Sequence, residues 1–222
     1  MSIALLIFDL DGTLISTMDT YADQAASLME EHFGTEWGEA RGAYFRTSGL
    51  PFAKQLELLY PGNQRINAVS ARFENWKGGY LATVELSDVV SDLLHAWRGQ
   101  GFLVAISSNN LQHYVEQLAR DWPVDYALGY RPDTNFSKGE DHFAALERRF
   151  SMTRDRFLFT GDSPNDARIA RASGVEFRAL LTSAFSPADF LAISPEIKCL
   201  NHLGELIASL RGEAGIDDES VA

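Results

Sequence analysis

The sequence predicts an α/β fold in which a Rossmann-like parallel sheet forms the core and an α-helical domain is inserted near the N-terminus. Three observations support this prediction. A short apolar strand occupies residues 5–8. Residues 16–84 show helical periodicity and contain no convincing strand. From residue 87 onward, apolar strands alternate with amphipathic helices, which is the pattern of a parallel sheet with right-handed crossovers.

The same patterns predict the domain organisation. The chain has 222 residues, of which 45% are apolar, so it is long enough for one large domain or a domain with an insert. We expect residues 1–15 and 85–211 to form the core, and residues 16–84 to form an inserted helical domain. The acidic segment 212–222 has few large apolar residues, and we expect it to be flexible.

The first strand ends in Asp9 and Asp11, which Gly12 follows. Charge is costly to bury, so a strand that ends in Asp-x-Asp indicates a site that holds a cation. In an open α/β sheet such a site lies at the carboxyl ends of the strands. Taken alone, this segment is also compatible with an ordinary strand-to-turn junction, where Asp and Gly are common.

Three helices are predicted in the inserted segment. Apolar residues recur at helical spacing over residues 18–32, and Gly34 is positioned to end that helix. A second helix is expected over residues 52–60, before a Pro-Gly pair that stops it. A third apolar stripe covers residues 66–80.

The core elements follow in alternation. Ser87 is expected to cap a helix that Gly101 closes. Further strands are predicted at residues 102–106, 126–128, 156–160, 175–180 and 197–200, and further helices at residues 111–120, 139–150, 165–173 and 203–210.

Polar residues follow four of these strands. A parallel sheet brings the carboxyl ends of its strands to one edge, so these residues are expected to share one cleft. They are Asp9 and Asp11 after the first strand, Ser107 to Asn110 after the second, Lys138 in the loop beyond the third, and the run Gly161 to Asp166 after the fourth.

This set of groups suits the chemistry of phosphate esters. A carboxylate can attack phosphorus and form an acyl-phosphate, while a second carboxyl group transfers protons. Because carboxylates repel phosphate, a cation must bridge the two, and Mg²⁺ suits such an all-oxygen site. A hydroxyl group, a lysine and backbone N–H groups can hold the phosphate oxygens.

The chain resembles the haloacid dehalogenase-like (HAD) superfamily, specifically its phosphatase branch with a helical cap between the first and second motifs, as in phosphoglycolate phosphatases. Residues 9–13, Asp-Leu-Asp-Gly-Thr, look like the first motif. The pair Ser108-Asn109 is similar to the second motif and Lys138 to the third. Residues 161–166 look like the fourth.

The resemblance implies a role for each acid. Asp9 would be the nucleophile and Asp11 the general acid/base. Asp9, Asp162 and the backbone carbonyl of Asp11 would hold Mg²⁺. Asp166 would support the waters of the metal or pair with Lys138.

The resemblance also assigns the phosphate-binding groups. Ser108 and Lys138 would grip the phosphate and the nucleophile, with Asn109 as a further substrate-binding residue. Ser107 is an alternative to Ser108, because the strand end could slip by one residue. Ser108 is favoured because Asn109 follows it, as in the usual Ser/Thr-Asn pair of the family.

By the resemblance, residues 16–84 would be the helical cap domain, and residues 47–52 resemble the cap loop that faces the active site in this family. Arg46, Thr47 and Ser48 are therefore candidates for binding the non-phosphate end of the substrate. Members that isomerise sugar phosphates tend to carry an arginine a few residues after the glycine of that loop, and residues 50–54 contain none.

The leading hypothesis is a Mg²⁺-dependent phosphatase of a small phosphorylated metabolite, and three alternatives stay open. A sugar-phosphate phosphomutase would show little net phosphate release. A phosphonate hydrolase would use a cap lysine, for which Lys54 is the candidate, although an exposed helix residue explains Lys54 more simply. A phospho-acceptor module would store an aspartyl-phosphate, but the helical insert and residues 161–166 argue against it. Dehalogenation is disfavoured because Asp11 is present.

Bulk properties restrict the partners. The formal net charge of −12 argues against nucleic acid as a partner. No apolar stretch approaches the roughly 20 residues of a membrane-spanning helix. Cys199 is the single cysteine, which excludes an internal disulfide, and the N-terminal apolar run contains Asp9 and does not resemble a signal peptide. A cytoplasmic location is therefore expected, and the sequence does not predict the oligomeric state.

Overall fold

A computed structural model describes residues 2–211, so the predicted flexible tail 212–222 lies outside the described residues. Six strands form one sheet in the order β3-β2-β1-β4-β5-β6, and every neighbouring pair is parallel. The strands are β1 (Leu5–Phe8), β2 (Leu103–Leu111), β3 (Tyr126–Tyr130), β4 (Phe157–Gly161), β5 (Glu176–Leu180) and β6 (Lys198–Leu200). The predicted parallel α/β fold is confirmed.

Ten α-helices accompany the sheet in the part of the chain that the structure describes. Four lie between β1 and the rest of the core: α1 (Met18–Phe33), α2 (Trp37–Arg46), α3 (Phe52–Leu59) and α4 (Ile66–Leu81). The others are α5 (Asp88–Gly99), α6 (Gln112–Ala119), α7 (Glu140–Phe150), α8 (Pro164–Ala172), α9 (Pro187–Leu191) and α10 (Leu206–Arg211). Among residues 2–211, no helix is long and apolar enough to cross a membrane.

The central strand β1 is fully buried, because helices cover both faces of the sheet. Its last residue, Phe8, pairs in register with Ile106 of β2 and with Thr160 of β4. Asp9, the next residue, therefore emerges between the ends of two neighbouring strands. This is also where the strand order reverses, which is the usual ligand-binding position of an open α/β sheet.

Aromatic side chains hold the inserted helices together. Phe73 of α4 lies 4.2 Å, centroid to centroid, from Phe52 of α3 and 6.2 Å from Tyr44 of α2. Tyr21 of α1 contacts Phe73 edge-on at 6.1 Å. These rings come from all four helices, so the segment has an apolar centre of its own.

Helix α2 was not predicted. Gly38 and Gly42 lie within it, and glycine costs about 1 kcal/mol per position in a helix. Tertiary contacts outweigh that cost: Arg41 forms ion pairs with Asp19 and Asp23 of α1, while small residues of α2 are buried against α1. The short helix α9 was also missed.

Strand β2 extends five residues beyond the predicted end at Ile106. Its polar stretch, residues 107–110, has low strand propensity, and the β2–β3 register shifts between Ser107 and Leu111. The irregular pairing lets the strand carry polar side chains into the cleft described next.

Candidate active site

A cleft of about 50 Å³ lies between the carboxyl ends of β1, β2 and β4 and the inserted helices. That volume corresponds to a few water molecules. The core contributes Asp9, Asp11, Ser108, Asn109, Asn110, Lys138, Asp162 and Ser163. The inserted segment contributes Met18, Tyr21, Tyr44, Ser48 to Phe52, Gln55, Phe73 and Lys77.

Lys138 joins two buried acids. Its Nζ lies 2.8 Å from Asp9 Oδ1 and 2.7 Å from Asp166 Oδ1, and its side chain is 2% exposed. Burial acts to lower the pKa of Lys138, but the carboxylates of Asp166 and Asp9 outweigh it and raise that pKa. The lysine is therefore a fixed positive charge beside Asp9.

Asp166 also organises the start of α8. Its Oδ2 accepts hydrogen bonds from the hydroxyl group of Ser163 at 2.6 Å and from the Ser163 backbone N–H at 3.3 Å. The Asp166 N–H in turn donates to Ser163 Oγ, which completes a capping box. Both Asp166 oxygens are thus engaged, and of the two roles expected for Asp166 the structure contains the pairing with Lys138.

Three carboxylates, those of Asp9, Asp162 and Asp166, have oxygens within 4.8 Å of one another. Asp162 is 3% exposed and accepts no hydrogen bond from another residue within the range 2–211. A buried carboxylate without such partners is costly unless a cation lies beside it. An all-oxygen donor set of this kind fits a hard divalent cation.

Burial and mutual repulsion change how these acids titrate. Burial raises the pKa of Asp9 to about 7, and the ammonium of Lys138 opposes the rise without cancelling it. Burial, followed by the charge of Asp9, raises the pKa of Asp162 well above its usual range. A bound cation would favour the charged form of both groups.

Gly12 leaves room for Asp162. Its backbone has a φ of 79°, in the left-handed region, and a Cβ at this position would collide with the carboxylate of Asp162. The glycine of the first motif is therefore required both by the turn and by the acid packed against it.

Two donors orient Asp11. Thr17 Oγ1 donates to Asp11 Oδ1 at 2.6 Å, and Asn110 Nδ2 donates to Asp11 Oδ2 at 2.5 Å. Thr17 is fully buried and Asn110 is 3% exposed. The carboxyl group of Asp11 is thus held between the start of the inserted segment and the end of β2, facing the cleft.

The two candidate serines point in opposite directions. Ser107 Oγ lies 2.9 Å from His142 Nδ1, behind the sheet edge, and does not line the cleft. Ser108 does line it. Successive strand residues face opposite sides, which explains why one serine and not the other reaches the cleft.

Asn109 connects the two parts of the chain. Its Nδ2 donates to the backbone oxygen of Gly49, in the inserted segment, at 2.7 Å. Its Oδ1 accepts from the backbone N–H of Lys138 at 3.1 Å. The Asn109 side chain therefore binds protein groups on both sides of the cleft, which differs from the direct substrate contact expected for it.

The cap-loop candidates separate in the structure. Ser48 is buried and lines the cleft, and its hydroxyl group has no hydrogen-bond partner among residues 2–211. Arg46 is exposed at the end of α2 and is not part of the cleft. Thr47 Oγ1 lies within hydrogen-bond distance of Ala43 O and Gln55 Oε1, so its hydroxyl group binds neighbouring protein groups. The prediction that Arg46 and Thr47 bind the substrate is therefore wrong, because neither residue lines the cleft.

Lys54 also lies outside the cleft. Its ammonium donates to Asn135 Oδ1 at 3.2 Å and lies 5.7 Å from the ring centre of Tyr130. It belongs to the contact between the inserted segment and the core. Lys77 of α4 is instead the lysine of the inserted segment that lines the cleft.

Sequence reasoning did not select Tyr21 and Lys77, which line the cleft, or Thr17, which binds Asp11 from outside the cleft lining. Lys77 carried a signal, because it follows Phe73 by four positions and so interrupts the apolar stripe of its helix. Asn110 was expected at this strand end, but its hydrogen bond to Asp11 was not predicted. Thr17 gave no signal, because polar residues beside a helix start are common.

Comparisons with known proteins agree with this architecture. The family model described as haloacid dehalogenase-like hydrolase matches residues 6–180. A phosphoglycolate phosphatase of Salmonella typhi is 21% identical over 232 residues, covering 91% of this chain and 90% of the relative.

Solved structures show the same fold. A hydrolase of the haloacid dehalogenase-like family from Streptococcus pneumoniae aligns with a TM-score of 0.76 at 18% identity, covering 93% of this chain and 98% of that chain. CbbY from Rhodobacter sphaeroides, in a mutant form complexed with xylulose-(1,5)bisphosphate, gives a TM-score of 0.73 at 18% identity, with 94% and 99% coverage.

Proposed function

The chain belongs to the haloacid dehalogenase-like family of hydrolases, and we propose that it is a Mg²⁺-dependent phosphatase of small phosphorylated metabolites. The observation that carries this proposal is the ion-paired group at the sheet edge. Asp9 lies at the end of the central strand, bound by the ammonium of Lys138 and close to Asp162 and Asp166. The proposed nucleophile, a fixed positive charge and a group of acids suited to a cation therefore lie together at one edge of the sheet, which supports the proposal.

In the proposed first step, Asp9 attacks the phosphorus atom of the ester. Lys138 binds Asp9 Oδ1, and the other carboxylate oxygen accepts no hydrogen bond from residues 2–211. That oxygen forms the new bond to phosphorus while the bond from phosphorus to the leaving oxygen breaks. Asp11, in its protonated form, gives its proton to the leaving oxygen and the alcohol departs.

In the proposed second step, water replaces Asp9 on phosphorus. The Asp11 carboxylate takes a proton from the water, whose oxygen bonds to phosphorus. The bond between phosphorus and Asp9 breaks, which releases phosphate and restores both acids. Thr17 and Asn110 hold Asp11 in position through both transfers.

The proposed metal ligands are Asp9, Asp162 and the backbone carbonyl of Asp11, with Asp166 nearby but bound to Lys138. When bound, Mg²⁺ would supply charge neutralisation between the carboxylates and the phosphate, and would polarise the phosphoryl group. Lys138 and the hydroxyl group of Ser108 are proposed to stabilise the negative charge on the non-bridging phosphate oxygens.

Residues 16–84 are proposed to act as a cap that encloses the substrate, with residues 1–15 and 85–211 as the catalytic core. The cleft lies between these two parts, so closure would exclude water from the reacting groups. Because Cys199 has no second cysteine to pair with, the cytoplasm is the proposed location.

The alternative enzymes would require particular side chains from the cap: an arginine for a phosphomutase and a lysine for a phosphonate hydrolase. A phosphomutase stays the second candidate, but residues 50–54 contain no arginine to hold a sugar phosphate for a second transfer. A phosphonate hydrolase that uses Lys54 is not supported, because Lys54 contacts Asn135 outside the cleft.

A screen of phosphorylated metabolites, scored by phosphate release with and without Mg²⁺, tests the proposal. Phosphoglycolate, the substrate in the name of the Salmonella relative, is the first compound to assay. We expect turnover that requires Mg²⁺ and is abolished by Asp9→Asn. Wild-type activity in that variant, or transfer without phosphate release, would exclude the proposed mechanism.

A further inference from the structure

Lys77 is a buried cation that faces the cleft without a hydrogen-bond acceptor. It is 8% exposed and lies on α4, in the inserted segment. It forms an ion pair with Glu74, whose buried Oε2 lies 3.8 Å from the ammonium, but this distance is too long for a hydrogen bond, and the ammonium donates none within residues 2–211. Burying an ammonium group in this way is costly unless a partner completes its hydrogen bonds.

Aromatic rings fix the position of this ammonium. Lys77 Nζ lies 5.1 Å from the ring centre of Tyr21 and 5.7 Å from that of Phe73. Cation–π contacts contribute about 0.5–2 kcal/mol, which helps to retain the charge but satisfies none of its N–H donors. Lys77 therefore lines the cleft with N–H donors that no residue within 2–211 accepts.

Tyr21 lies between Lys77 and Asp11, the acid proposed to protonate the leaving oxygen. Burial, and then the nearby Asp11 carboxylate, raise the pKa of Tyr21, so its hydroxyl group stays protonated. That hydroxyl group is buried, and the Asp11 carboxylate is its charged neighbour. Tyr21 thus has its hydroxyl group near Asp11 and its ring beside Lys77, which places Lys77 on the leaving-group side of the cleft.

The two cations of the cleft have different surroundings. Among the described residues that line it, Lys77 and Lys138 carry positive charge. Lys138 is already bound by Asp9 and Asp166. Lys77 has the longer ion pair with Glu74 but no hydrogen bond to residues 2–211, so its N–H donors are available to a ligand, together with the unpartnered hydroxyl group of Ser48.

We infer that Lys77 is a specificity-determining residue, whose ammonium binds an anionic oxygen group on the alcohol portion of the substrate. This inference rests on the proposed phosphatase activity. The preferred substrate is then a phosphate monoester with a second anionic group on a short chain, since the cleft has a volume of only about 50 Å³. A carboxylate and a second phosphate both provide this chemistry.

The test compares esters that differ in that group. Values of kcat/KM are measured for phosphoglycolate, for ethane-1,2-diol bisphosphate and for ethyl phosphate, which lacks a second charge. The wild-type enzyme is expected to prefer one of the charged esters over ethyl phosphate by about tenfold or more, as expected for a charge-assisted hydrogen bond. The charged ester with the higher kcat/KM shows whether the cleft prefers a carboxylate or a second phosphate.

Substitution of Lys77 tests whether this residue causes the preference for charged esters. Lys77→Met is expected to reduce the charged-to-neutral ratio of kcat/KM by about tenfold or more, mainly through KM, while Lys77→Arg retains most of it. Arg72→Met, which removes a charge from the exposed face of the same helix, is the matched control and should keep the wild-type ratio. Thermal unfolding verifies that each variant is folded.

The outcomes separate this inference from the proposed function. Hydrolysis of no ester would overturn the phosphatase proposal itself. Hydrolysis of all three esters with equal kcat/KM would overturn only the role of Lys77, even if Lys77→Met failed to fold. A proportional loss on every ester in a folded Lys77→Met would show a structural lysine and would likewise reject the inference.

Discussion

Asn109 Nδ2 lies 2.7 Å from the backbone oxygen of Gly49, and this hydrogen bond joins the end of β2 to the loop that follows α2. The same amide group accepts from the N–H of Lys138 at 3.1 Å. One side chain therefore contacts both the inserted segment and the loop that carries the lysine bound to Asp9. The position of the inserted helices and the position of Lys138 are coupled through Asn109.

Replacement of Asn109 by alanine tests this coupling. Loss of two hydrogen bonds of about 1 kcal/mol each is expected to reduce kcat/KM about tenfold or more. Asn165→Ala, which removes a longer 3.4 Å contact to the same carbonyl, should have a smaller effect. Steady-state kinetics on one substrate measure both, and equal kinetics for the two variants would contradict the coupling.

Removal of Lys138 is expected to destabilise the metal-free protein. Lys138→Met leaves Asp9 and Asp166 buried without their cation, and breaking such a pair costs about 3–5 kcal/mol. Urea unfolding in the presence of a chelator measures the change. Lys54→Met, at a half-buried lysine outside the cleft, is the control and should change the free energy of unfolding by less than about 1 kcal/mol.

Asp162→Asn is expected to separate metal binding from folding. The variant removes a buried charge that repels Asp9, so the metal-free protein should unfold at a higher temperature than the wild type. Loss of a ligand should weaken Mg²⁺ binding on the order of 100-fold and abolish the rise in melting temperature that Mg²⁺ produces. A variant with an undiminished Mg²⁺-dependent rise would remove Asp162 from the metal site.

His142 predicts a pH dependence of stability. Burial and the nearby Lys138 charge lower the pKa of His142 from 6.5 to about 3, so the folded ring stays neutral while the unfolded ring takes up a proton below pH 6.5. Its contribution to the free energy of unfolding is therefore complete above pH 6.5. It falls by about 1.4 kcal/mol per pH unit as the pH drops from 6.5 toward 3.

The measurement compares the wild type with His142→Gln, because acidification also protonates many carboxyl groups. The difference in unfolding free energy between the two proteins should change between pH 6.5 and 4.5. A ring that titrates near pH 6.5 in NMR spectra of the folded wild type would contradict the prediction without needing the variant.

Most of the core could be predicted because its strands have strong local signals. β1 and β4 are apolar runs buried on both faces, and Gly34 ends α1 in the left-handed conformation, with a φ of 74°. α2 could not be predicted, since its two glycines oppose a helix and its stability comes from contacts with α1. Such contacts between helices cannot be predicted from the local sequence pattern.

The candidate site also has a part that could be predicted from the sequence and a part that could not. Residues at strand ends could be placed together because a parallel sheet has one carboxyl edge, and Asp9, Lys138 and Asp162 do meet there. The side of the cleft formed by inserted helices depends on how those helices pack against the core. Arg46 and Lys77 show the result, since the first was expected in the cleft and the second was not.

The acceptor at the Asn109 contact is a main-chain oxygen, that of Gly49, which every amino acid provides. Side chains of α1, α2 and α4 can therefore be exchanged without removing this attachment to the catalytic half. Protein engineers could vary the side chains that the inserted helices contribute to the cleft in order to obtain new selectivities. Position 49 must keep its glycine, because its φ of 85° favours glycine and the nearby Asn165 side chain leaves no space for a Cβ.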